Sequence, residues 1–100
     1  MALFRIISLA ELGPGTMLPA TVGGKDLLVC NDNGTIHAFG GLCPHHEGPL
    51  WQGNFTDGRI ICPWHGWEFR CDTGCLDYNT AIALERFPVV IDGEDVFVDA

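Results

Sequence analysis

Positive charge is scarce in this sequence: five Lys and Arg stand against thirteen Asp and Glu in 100 residues, a formal charge of −8. Phosphate binding needs a basic stripe, so nucleic acid is excluded as a partner, and a basic docking patch on a protein partner is the complementary surface. Long apolar runs are missing too. None approaches the ~20 residues a membrane span needs. The opening stretch Met1 to Ser8 lacks the apolar region and the small-residue cleavage site of a signal peptide. These absences predict a chain with no membrane segment, soluble and cytoplasmic. The five cysteines are too odd a number for a disulfide framework and fit a reducing compartment. Repeats, low-complexity tracts, linkers and long amphipathic helical patterns are also lacking.

What is present reads as one folded unit over residues 1–100, because 47% apolar content with 18% charge is too hydrophobic for a disordered chain. Turn pairs recur closely: Gly23-Gly24, Asn33-Gly34, Asp57-Gly58, Thr73-Gly74 and Asp92-Gly93. Between them lie short runs of β-formers: Thr21-Val22, Leu27-Leu28-Val29, Ile36 to Phe39, Arg59 to Ile61, Val89 to Ile91 and Val96 to Val98. Such spacing predicts antiparallel hairpins and an all-β fold class. Ser8 to Leu12 predicts a single helical turn, with Glu11 at the capping-box position.

Two short words carry the chemistry. Cys43-Pro44-His45 and Cys62-Pro63-Trp64-His65 are separated by sixteen residues. Two thiolates and two imidazoles can hold a tetrahedral zinc, or two metals with sulfur on one and nitrogen on the other. Zinc fingers usually group Cys with Cys and His with His, whereas here each word mixes the two. Asp57-Gly58 turns the chain between the words and brings both loops to one end of a small sheet.

With their flanking Leu50, Gly53, Gly66 and Phe69, the words resemble the Rieske family, in which one iron of a [2Fe–2S] cluster is held by two Cys and the other by two His. The resemblance runs from about Gly34 to Val98. It implies a Rieske fold: a small antiparallel sandwich or barrel base over 1–40 and 76–100, and a cluster-binding subdomain over 41–75 with two ligand loops at its tip. It implies one [2Fe–2S] cluster held by Cys43, His45, Cys62 and His65, the cysteines on the inner iron and the histidines on the outer one. Cys43 to Glu47 is similar to soluble Rieske ferredoxins of aromatic-ring dioxygenase systems. The implied function is therefore one-electron transport from an NAD(P)H-dependent flavin reductase to a terminal oxygenase. A small subunit of a larger, nitrite-reductase-type complex shares the same features, and a zinc-binding structural module is the remaining alternative.

Several departures from the family are informative. The high-potential respiratory branch has a disulfide between positions that here hold Gly48 and Trp64. It has hydroxyl donors to the cluster sulfurs where Trp67 and Phe69 stand. Each hydrogen bond of ~1 kcal/mol favouring the reduced state is worth roughly 40 mV, so the expectation is a potential near the low end of the range, about −150 mV. Many relatives have Gly in place of Glu47, and a proline-containing covering loop where Tyr78 to Leu84 lies without proline.

The other candidates read more plainly. Cys30, ending an apolar run, reads as a core residue. Cys71 and Cys75 flank a turn and could pair, with two reduced thiols as the simpler reading. His37 reads as a structural strand residue and His46 as a solvated neighbour of the cluster. Trp64 and Trp67 would exclude water, with faces free to meet a partner. The chain does not read as an oxygenase: a mononuclear iron site needs two further His and a carboxylate, and of the two that remain, His37 and His46, the second abuts the cluster.

Overall fold

The computed structural model describes residues 3–43, 48–64, 66–76 and 79–99, and these form antiparallel strands in three sheets. Strands are numbered along the chain. The central sheet has the order β10 (Arg86–Phe87), β4 (Thr35–Gly40), β3 (Lys25–Asp32) and β2 (Met17–Val22). On one side lies a sheet of β1 (Leu3–Ser8), β12 (Asp95–Asp99) and β11 (Val89–Asp92). On the other lies a sheet of β5 (Asn54–Thr56), β6 (Arg59–Ile61), β7 (Glu68–Arg70), β8 (Cys75–Leu76) and β9 (Asn79–Ala83). The all-β class follows the turn punctuation. At Asn33-Gly34, φ is 51° and 99°, and at Asp57-Gly58 it is 51° and 71°, the left-handed pairs that two-residue hairpin turns require.

Strand β3 explains the layering. Its run Leu27-Leu28-Val29-Cys30 is fully buried because both faces of the strand are covered. Leu27 and Val29 enter a core with Ile7, Phe87, Val96 and Val98. Leu28 and Cys30 enter the other, with Phe39, Ile60 and Phe69. Neighbouring β4 divides the same way, Ala38 to the first core and Phe39 to the second. Asn31 fastens the end of the hairpin: its Oδ1 accepts the Gly34 amide at 2.6 Å and its Nδ2 donates to the Leu12 carbonyl at 2.9 Å.

Some elements differ from the sequence reading. Strand β2 begins four residues before Thr21 and contains Pro19, which is tolerated because β2 is a sheet edge. Strand β1 was not foreseen, since its outer residues are exposed and break the apolar alternation. The helical turn after Ser8 is a 3-10 turn, Leu9–Glu11, with the Ser8 amide donating to the Glu11 carboxylate at 3.3 Å. The third sheet continues past residue 75 to Ala83, because β8 and β9 pair as a hairpin. Part of the segment where relatives carry a covering loop is therefore strand.

Candidate metal centre

Both cysteine words sit in loops built alike. The first loop leaves β4 at Gly40, where the Gly41 amide donates to the Asp26 carbonyl at 3.0 Å. The Cys43 amide then donates to the Gly48 carbonyl at 2.8 Å. The second loop leaves β6 after Ile61, and the Cys62 amide donates to the Trp67 carbonyl at 2.8 Å before β7 begins. Each cysteine thus opens a loop clasped by a bond from its own amide to the carbonyl five residues later. His45 and His65 fall inside these clasps by sequence. They lie outside the described residues, as do His46 and Glu47.

The two loops touch. A Cβ on Gly48 would stand 3.1 Å from the Cys62 sulfur and 3.2 Å from the Trp64 ring. The Trp64 amide lies 3.4 Å from the same sulfur and donates to it. Cys43 and Cys62 are both buried, in the core that contains Leu50, Ile60 and Phe69. A buried thiolate is costly unless positive charge and N–H donors compensate it. Two such sulfurs on adjoining loops, one with a backbone donor, suit iron–sulfur ligation. Close to each cysteine in sequence, Leu42 and Trp64 are 40% and 47% exposed. Trp67 is half-buried with its ring centroid 6.5 Å from that of the buried Phe69.

The remaining cysteines follow the simpler reading, as free thiols with Cys30 in the core. Cys71 and Cys75 are not bonded to each other. The Cys71 sulfur instead lies 2.8 Å from that of Cys30, with both residues buried. His37 is buried, opposite Cys30 in the β3–β4 register, with its ring stacked on Phe39 at 6.1 Å. Burial, ahead of the Arg86 charge, holds its pKa below the usual imidazole range. The signal available in sequence was the alternation of β3 and β4, which places Cys30, Asp32 and His37 on one face.

An antiparallel β scaffold presenting two clasped cysteine loops at one end defines a small metal-binding module. The Rieske [2Fe-2S] domain profile matches residues 2–88, and the chain belongs to that family, whose domain carries one [2Fe–2S] cluster. The chain is 41% identical over 91 residues to human "Apoptosis-inducing factor 3", covering 90% of this chain but 15% of that protein. It is 36% identical over 100 residues to the "Biphenyl 2,3-dioxygenase, ferredoxin component" of Rhodococcus jostii, covering 99% of this chain and 94% of the relative. Among solved structures, the "Ferredoxin of carbazole 1,9a-dioxygenase from Nocardioides aromaticivorans IC177" superposes with a TM-score of 0.88 at 29% identity, covering 98% and 97% of the two chains. No helix among the described residues is long and apolar enough to cross a membrane.

Proposed function

We propose that Cys43 and Cys62 ligate one iron of the cluster and His45 and His65 the other, and that the chain carries single electrons from an NAD(P)H-dependent flavin reductase to a terminal oxygenase. The pair of clasped loops carries this reading. Each clasp fixes a cysteine, a histidine follows two or three residues later in the sequence, and the Gly48 backbone lies against the second loop. When bound, the cluster supplies reversible one-electron redox chemistry at a potential raised by its imidazole ligands.

The protein's own groups would protect and present it. Trp67, Phe69 and Leu50 close the inner side against water. The exposed faces of Leu42 and Trp64 give a partner an apolar contact beside the loops. The charge of −8 favours a basic patch on that partner. The names of the biphenyl and carbazole ferredoxins support an oxygenase partner, and the free thiols at Cys30, Cys71 and Cys75 support a reducing, cytoplasmic setting.

A second reading is a module working inside a larger oxidoreductase, favoured by the match to a relative of which this chain spans 15%. Metal and sulfide analysis with visible and EPR spectra tests the cofactor ligation. His45→Ala and His65→Ala should each abolish the Rieske signal, and an intact chromophore in either would overturn the ligand set. Reduction by a flavin reductase followed by oxygenase turnover supports the mobile carrier. A stable large complex recovered from cells would overturn it in favour of the module.

A further inference from the structure

Cys30, in β3, and Cys71, in the turn after β7, lie 41 residues apart in sequence, yet their sulfurs stand 2.8 Å apart in a fully buried contact. The backbone is fixed on both sides. Cys30 is held in register between Met17 and His37, and the Cys71 amide donates to the Gly58 carbonyl at 2.8 Å. Non-bonded heavy atoms rest about 3.5–4 Å apart. Two sulfurs sharing a tetrahedral zinc at ~2.3 Å each would stand about 3.8 Å apart. The observed separation is inside both distances, so the fold presses these thiols towards a bond rather than towards a shared ion.

We propose that Cys30 and Cys71 are a redox pair that closes to a disulfide when oxidised by a hydroperoxide, tying the central sheet to the turn that follows β7. The surroundings supply a path and a base. Donor atoms of Asp32, His37 and Cys71 lie within 4.8 Å of one another. Asp32 also borders a cavity of about 430 Å³ lined by Phe55, Gly58, Arg59, Arg70 and Asp72, from which a small oxidant is one side chain away from Cys71. His37, kept neutral by burial, can accept a proton. The hydrogen bond between Cys30 and Cys71, with burial, raises the Cys30 thiol above the usual range and keeps it protonated.

The chemistry balances. Cys71 gives its proton to His37, and its sulfur attacks the hydroperoxide; the O–O bond breaks, and the departing alkoxide, or hydroxide from hydrogen peroxide, takes the proton back from His37, leaving a sulfenic acid and an alcohol or water. The Cys30 sulfur then attacks the Cys71 sulfur. The S–S bond forms, the S–O bond breaks, and water leaves with the proton of Cys30. The two thiols lose two electrons to the peroxide, and a dithiol reverses the change.

The proposal is independent of the carrier reading, because its readout is a covalent link. Holoprotein purified under reduction is treated with one equivalent of hydrogen peroxide, quenched, unfolded in alkylating reagent and mapped by mass spectrometry. The expected result is a Cys30–Cys71 linked peptide with Cys75 alkylated. A rise in Tm of about ten degrees or more is expected in the oxidised wild type, absent in Cys30→Ala and Cys71→Ala. Full alkylation of both thiols after peroxide, a link made through Cys75, or one bound zinc that shields both sulfurs would overturn it.

Discussion

Gly48 approaches Cys62 so closely that a Cβ at position 48 would lie 3.1 Å from the cysteine sulfur. The backbone of the first cysteine loop therefore rests directly on the Cys62 side chain of the second. A side chain there must displace the sulfur or the Trp64 ring at 3.2 Å. Gly48→Val is expected to lower iron and sulfide per chain to about half or less, with the far-ultraviolet spectrum unchanged. Full cluster content in the variant would show that the loops can separate without losing their grip.

Gly53 and Gly58 should respond differently to alanine. A Cβ at Gly53 would fall on the Ile61 carbonyl oxygen and 3.1 Å from the Pro63 ring, so β5 and β6 must part just before Cys62. Overpacking of this kind costs about 3 kcal/mol. At Gly58 the nearest atom would be an Asp32 carboxylate oxygen at 3.6 Å, leaving only the strain of φ 71°, about 1 kcal/mol. Urea unfolding should rank Gly53→Ala well below Gly58→Ala, and equal losses would contradict the close approach.

Burial holds the His37 pKa below its ordinary 6.5 in the folded chain. Between the lowered value and 6.5 the unfolded chain binds the extra proton, so stability falls as pH drops through that window. His37→Phe removes the effect. Denaturant titrations from pH 7 to about pH 5 should show a shallower pH slope in the variant than in the wild type. Identical slopes would mean that the ring is protonated equally in both states.

Trp67 and Phe69 offer no hydroxyl near the cysteine loops, and Phe69 is fully buried. Direct voltammetry should give a midpoint of about −150 mV. Phe69→Tyr should raise it by roughly 40 mV if the new hydroxyl reaches a cluster sulfur. A wild-type value above zero would contradict the low-potential assignment.

Much of the architecture was legible because local rules govern it. Asn33-Gly34 and Asp57-Gly58 mark hairpins through their own backbone preferences, and Leu27 to Val29 announces a strand as a short run of β-formers. The two cysteine words were legible as a spacing. The Cys30–Cys71 contact was not, because it joins β3 to the turn after β7 across 41 residues and depends on how the two sheets stack. Strand β1 was missed because Leu3 and Phe4 are exposed, which hides the periodicity that marks a buried strand. The β8–β9 hairpin was missed because Leu76 and Asn79 pair without an Asn-Gly or Asp-Gly signal.

Strand β3 serves as a party wall, with alternate side chains belonging to the rooms on either side. Neither half can be cut away with its own interior intact. Stripping iron from the protein should therefore loosen the far room as well as the near one, and a calorimeter should record a single melting event rather than two.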